Sequence, residues 1–295
     1  MLLLALIAVL GGVVFWFLSE PQRLPREAMP AHRADLANGK LMFTIGGCIN
    51  CHKPAKDQAN ANADLPSGGA PLKTPIGVLY PPNLTPDIET GIGRWTHFDF
   101  LDATMRGVSP QGTHYIPAFP YTSYAAMKPE DLLDIEGYLK SLSPVRAPPK
   151  PHDVWLLPVV RRGIGLWKLI GLDTSPWQPD PAQSASWNRG SYLVNGPGHC
   201  GECHTPRNLF MVKGSDRAFA GGPHPEGEGR VPALRGLITR GRYKDAKDLA
   251  SALKYGEALG YDKLSSGGMG DVQVGLAKLP DSDIQAITDY LVSLE

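Results

Sequence analysis

All four cysteines of the chain fall in two pentapeptides of one form, Cys48-Ile-Asn-Cys51-His52 and Cys200-Gly-Glu-Cys203-His204. Two thiols three positions apart lie on one side of a helical turn, where each can form a thioether to a vinyl group of the same porphyrin. The histidine that follows then falls beneath the iron as an axial ligand. The residues therefore predict two haem c groups, held covalently by Cys48, Cys51, Cys200 and Cys203, with His52 and His204 on the irons. A structural zinc site wants a second cysteine pair about 15 to 20 residues further on. A thioredoxin-like pair wants a strand-to-helix junction. The sequence shows neither, and a plain disulfide does not ask for histidine at both fifth positions.

The sixth iron position decides whether such a group carries electrons or activates small molecules, because a methionine thioether favours reduced iron and fills the site. Met269 stands in the glycine-rich run Ser265-Ser-Gly-Gly-Met-Gly270, 65 residues after His204, and is predicted to ligate the second iron. The matching loop of the first half runs from Gly112 to Met127 and holds Phe119, which cannot ligate iron. His114, Met127 and an open position are the alternatives there. Met105 belongs to a helical stripe and is assigned to the core.

These groups need elements to position them, and the elements recur. The shift of 152 residues that carries Cys48 onto Cys200 also carries Leu132, Ile135, Tyr138, Leu139 and Leu142 onto Ile284, Ile287, Tyr290, Leu291 and Leu294. Their spacing marks one apolar face of a helix that closes each repeat. Phe98, Leu101 and Met105 before Gly107, and Ala246, Leu249 and Leu253 before Gly256, predict a middle helix in each. Gly39 and Gly190 stand ahead of the two cysteine motifs, where a residue without Cβ lets two helices cross closely. No convincing alternating strand pattern appears. The expectation is an all-α chain: two tandem haem domains at 21–143 and 188–295, joined by a proline-rich strap at 144–187. The strap holds eight prolines and an apolar load that includes Trp155 and Trp167, and is read as packed across the domain interface or as a docking surface for a membrane partner.

With 29 basic against 29 acidic residues there is no basic excess to bind phosphates, which excludes a nucleic-acid partner. Residues Leu2 to Leu18 carry no charge, and as helix they would span roughly 26 Å against a hydrocarbon core of ~30 Å. Residues 1–20 are therefore predicted to be an uncleaved transmembrane anchor in contact with membrane lipid, since the charged start and small-x-small site of a cleaved signal are missing. Covalent haem attachment takes place on the exported side. The expected location is the inner (cytoplasmic) membrane, single-pass, with the haem domains in the periplasm.

Three longer runs carry a resemblance: Asn83-Leu-Thr-Pro-Asp87 with Glu89-Thr-Gly-Ile-Gly93, Pro120-Tyr-Thr-Ser-Tyr124, and Gln178 to Gly190 continued through His199-Cys-Gly-Glu-Cys-His-Thr-Pro-Arg207. In these, and over nearly everything from about residue 33 onward, the chain resembles the membrane-bound cytochrome c subunits of bacterial alcohol, gluconate and aldehyde dehydrogenases. That family typically has three haem domains, so two motifs imply a variant without the last. Its first domain usually reads Pro-Ala-Met-Pro-Tyr where this chain has Phe119, so the first sixth ligand does not carry over. The resemblance implies an electron-transfer subunit, not itself an enzyme, that takes electrons from a dehydrogenase and passes them to quinone or a terminal oxidase in the respiratory chain. The alternative is a dihaem enzyme, of peroxidase or thiosulfate-oxidising type, with a displaceable site at haem one.

Overall fold

The computed structural model describes residues 1–55, 62–225, 229–256 and 268–295. Helix α1 (Leu2–Leu18) opens the chain with every residue solvent-exposed. It ends where the Ser19 N–H closes on the Phe15 carbonyl and the polar run Ser19-Glu20-Pro21 begins. Ser19 is fully buried and its own carbonyl is taken by His114, so no further turn can form. This corrects the expected transmembrane anchor: α1 stops after 17 residues, and among the described residues no helix is long and apolar enough to cross a membrane.

A tether follows and docks through Arg23 on Asp102 (3.2 Å) and through the Leu24 N–H on the same carboxylate. Next come α2 (Leu36–Ile45), capped by the Asp35 carboxylate, and α3 (Cys48–His52). Strands β1 (Leu72–Thr74) and β2 (Gly77–Leu79) form a hairpin. Helix α4 (His97–Leu101) starts on a Thr96/Asp99 capping box and runs on as a π-turn to Gly107, whose positive φ of 60° ends it. Then come α5 (Tyr121–Tyr124) and α6 (Pro129–Lys140), the latter with proline in its first turn.

The joining segment is more than a strap: β3 (Asp153–Val154) adds to β2, and α7 (Leu157–Gly171) is a full helix. The second half holds α8 (Ala185–Asn195), α9 (Gly201–His204), β4 (Gly222–Pro223) paired with β5 (Arg230–Val231), α10 (Ala246–Tyr255), α11 (Met269–Leu276) and α12 (Asp281–Val292). The all-α expectation is thus corrected as well. The strands escaped the sequence because two or three residues are too few to show an alternating period.

Both halves are built on one crossing. A Cβ on Gly39 of α2 would fall 2.0 Å from the Asp134 carbonyl oxygen of α6, and one on Gly190 of α8 would fall 1.8 Å from that of Ala286 in α12. Only glycine lets backbones approach so far. Tyr138 and Tyr290 pack beside these two glycines, at positions related by the shift seen in the sequence. The apolar faces of both crossings merge into one core, with Met42, Leu132 and Leu139 on one side and Leu193, Ile287 and Leu291 on the other.

Candidate haem-binding site

Each cysteine motif forms a short helix directly after the helix that makes its crossing. Cys48 and Cys200 are half-buried while Cys51 and Cys203 reach the surface. Burial, the larger cause, and the neighbouring cysteine push the thiols of Cys48 and Cys200 up to about 12, so both are protonated at neutral pH.

The two histidines share a further feature. His52 Nδ1 lies 2.8 Å from the Pro82 carbonyl, and His204 Nδ1 lies 2.8 Å from that of Pro232. A carbonyl only accepts, so Nδ1 carries the proton and Nε2 keeps its lone pair for a metal. Desolvation holds both imidazoles neutral, that of His52 down to about 4. Haem c fits these residues: two thiols and a pre-oriented imidazole, in the same arrangement twice. Pro82 and Pro232 were not singled out from the sequence. Their signal is weak, since the orienting group is a backbone oxygen about 30 residues from its histidine.

The motifs also touch each other. A side chain on Gly46 would lie 3.3 Å from Cys48 Sγ and 3.4 Å from the Pro197 carbonyl, and one on Gly198 would lie 3.6 Å from both Cys200 Sγ and Ile45. His199 Nε2 donates to the Gly46 carbonyl at 3.1 Å, and its ring meets the edge of Tyr124, which hydrogen-bonds Cys48. Phe119 stacks edge-on with Tyr124, Tyr121 and Tyr115. An aromatic chain therefore runs between the first cysteines of the two motifs.

Glu202, the variable position inside the second motif, is the other link that sequence reasoning missed. Its Oε1 accepts from Thr122, Ser123 and Lys213, each at 2.6 Å, and its Oε2 accepts from Arg207 at 2.7 Å. Burial alone would raise its pKa, yet Lys213, Arg207 and the hydroxyls outweigh that and hold it at about 2. Thr122 and Ser123 belong to α5, so this carboxylate fastens the second motif to the first bundle. A charged residue inside such a motif was the available clue.

Of the sixth-ligand candidates, Met269 is half-buried in the first turn of α11, behind Gly268 with its φ of 83°, while Ser265, Ser266 and Gly267 of its loop lie outside the described residues. Met127 is fully buried, and its Cγ would sit 3.2 Å from a Cβ on Gly196. His114 has both nitrogens engaged: Nε2 donates to the Ser19 carbonyl at 2.9 Å and Nδ1 accepts from Lys168 at 3.0 Å.

Desolvation and nearby cations lower His114 from 6.5 to about 4. The unfolded chain takes up a proton at this residue between those two values while the folded chain does not, so stability falls as pH drops from 6.5 towards 4. His114→Gln is expected to melt below the wild type at pH above 6.5. The two melting curves should converge near pH 4. A gap that stays constant with pH would show that His114 does not fold neutral.

These are two helix bundles, each presenting a C-x-x-C-H turn whose histidine is oriented as a metal ligand, which defines a haem-binding electron carrier. A cytochrome c family model matches residues 36–143. The chain is also 38% identical to a diheme cytochrome c-type protein of Cereibacter sphaeroides over 98% of its own length and 95% of that protein. It belongs to the cytochrome c family, and haem c is its cofactor. It is 36% identical to the cytochrome c subunit of the quinone alcohol dehydrogenase of Gluconacetobacter polyoxogenes, over 90% of its own length. It is 35% identical to the gluconate 2-dehydrogenase cytochrome c subunit of Pantoea cypripedii, over 97% of its own length. It spans only 57% of the first of these two subunits and 64% of the second.

Proposed function

We propose that the chain holds two haem c groups, one on each motif, and relays electrons from a partner dehydrogenase towards quinone or a terminal oxidase of the respiratory chain. The observation that carries this reading is the contact between the motifs. The Gly46 carbonyl, His199 and Tyr124 bring Cys48 and Cys200, the first cysteines of the two motifs, to one interface. Each bound haem supplies reversible one-electron iron chemistry. The protein orients the imidazoles through Pro82 and Pro232, and the similarity to cytochrome subunits of dehydrogenases supports a partner of that class. Thioether formation outside the cytoplasm argues for the periplasmic side as the location.

The test is stoichiometry and reduction. The purified chain is expected to take up two electrons on titration, and Cys200→Ser/Cys203→Ser is expected to take up one. Mixed with a reduced gluconate or alcohol dehydrogenase lacking its own cytochrome, both haems should be reduced in the same kinetic phase. A wild-type chain that accepts a single electron, or no reduction by any such dehydrogenase, would overturn the reading.

A second reading has Phe119 behind it, since the loop offers a ring where a donor would be expected and His114 is engaged elsewhere. It is a dihaem enzyme with a displaceable site at haem one. Fast carbon monoxide binding to one of the two reduced haems would favour it, and two six-coordinate low-spin irons would exclude it.

A further inference from the structure

The backbone oxygen that orients His52 belongs to a run with few donors of its own. Pro81 and Pro82 have no N–H, so Tyr80-Pro81-Pro82-Asn83 must be anchored through its two flanks and its carbonyls. The Pro81 carbonyl accepts from the Gly69 N–H at 2.9 Å. Both flanks are held by the joining segment. The Tyr80 N–H donates to His152 Nδ1 at 3.1 Å, and the Asn83 carboxamide donates to the Val145 carbonyl at 2.6 Å. Thr85 and Val145 exchange hydrogen bonds in both directions, at 3.0 and 3.3 Å. Directly after His152, β3 pairs with β2, and a Cβ on Gly77 would fall 2.1 Å from the Asp153 carbonyl oxygen.

The second half is built alike up to this point and then differs. The Gly68 N–H donates to the His52 carbonyl at 2.7 Å, and the Gly221 N–H donates to the His204 carbonyl at 2.8 Å. Around the Pro232 carbonyl, however, the anchors come from the same half. Val231 pairs with Gly222, and the Leu234 N–H donates to the Phe219 carbonyl at 2.9 Å. One axial histidine is thus supported from within its own half, and the other from the chain that joins the halves.

We infer that His152 is a positioning residue for haem one: through Tyr80 it holds the Pro82 carbonyl on His52 Nδ1, so that the joining segment sets the electron affinity of the first haem and not of the second. Desolvation, and after it the charge of Arg161, lowers the pKa of His152, so its ring is neutral and Nδ1 can accept. An axial imidazole whose Nδ1–H bonds well to a carbonyl is the stronger donor at Nε2, and a stronger donor favours oxidised iron. Once the Tyr80 anchor is lost, the bond to Pro82 weakens and haem one becomes easier to reduce. Haem two keeps its Pro232 carbonyl and does not change. The inference rests on the reading that each motif carries a haem c. It does not rest on the partner dehydrogenase, because midpoints are measured on the chain alone.

The test is redox titration of the full haem-loaded chain, joined to hydrogen exchange on nitrogen-labelled protein. His152→Ala is expected to move one midpoint of the two, shifting that haem's reduction equilibrium about threefold or more towards the reduced form, and to leave the other in place. His152→Asn should restore it, because the carboxamide oxygen of asparagine stands where Nδ1 stood and accepts from the Tyr80 N–H. Gly77→Ala, which forces β3 off β2, is a second variant with the same expected shift should the first disturb folding. In both, the Tyr80 amide and the His52 ring N–H should exchange faster while the His204 ring N–H keeps its rate, which assigns the moved midpoint to haem one. A purely structural role would lower the melting temperature and move neither midpoint. Two unchanged midpoints in both variants would overturn the inference. So would equal movement of both haems, or a shift that His152→Asn does not reverse. A wild-type chain that takes up a single electron would instead strike the two-haem reading, and would show itself before any variant is compared.

Discussion

Glu202→Ala is expected to destabilise the haem-loaded chain by about 3–5 kcal/mol at neutral pH, the usual cost of removing one partner of a buried ion pair. The carboxylate is itself buried and is held by two cations and two hydroxyls. Without it, Lys213 keeps its charge beside Ser123 with no anion to meet. Arg207 is less exposed to the loss because it also donates to the carbonyls of Glu202 and Met211. Glu202→Gln keeps the shape and one acceptor oxygen but not the charge, so its cost should lie between that of alanine and zero. The pH dependence fixes the sign. A carboxyl held at about 2 in the folded chain and near 4.5 in the unfolded one contributes stability above pH 4.5 that is lost as pH falls towards 2. The gap between wild type and Glu202→Ala should therefore narrow across that window. Denaturant unfolding followed by helix and haem signals measures both effects. A loss under about 1 kcal/mol would mean that the two bundles hold together without this link.

The sequence showed what is local and periodic. The cysteine motifs, the closing helices with Tyr138 and Tyr290, and the glycines at 39 and 190 could be read because each rests on spacing along one element. What could not be read is long-range. Pro82 and Pro232 act through backbone oxygens, which leave no mark in residue type. Glu202 meets Thr122 and Ser123 across the junction of the bundles, a pairing that no period predicts. The apolar run of α1 and its end at Leu18 were legible from residue type, but the contact that fixes that end was not, because the Ser19 carbonyl is taken by His114, a residue far along the chain. His114 likewise had the chemistry of an iron ligand by type, and only the fold shows Ser19 and Lys168 on its two nitrogens.

One exchange, glycine to alanine, should give opposite signs at different positions. Gly190→Ala is expected to lower stability by about 3 kcal/mol, at the upper end of what forced packing usually costs. The new Cβ would sit 1.8 Å from the Ala286 oxygen and 2.9 Å from Tyr290 Cβ, and the first of these is backbone and cannot swing aside. α8 must then lift off α12, and the buried contacts of Leu193 and Ile287 weaken with it. Gly39→Ala repeats the experiment on α2 and α6, where the Asp134 oxygen would be 2.0 Å away. Gly163→Ala on α7 meets nothing within 4 Å, so it should gain about 0.5–1 kcal/mol from the helix preference of alanine over glycine. Because α9 follows directly on α8, the Gly190 variant should also disturb the second motif, seen as a changed haem absorbance. Gly39→Ala should act on the other. If both glycines accept alanine at no cost, the close crossing common to the two bundles is wrong, and the internal repeat would then rest on the cysteine motifs and the closing helices alone.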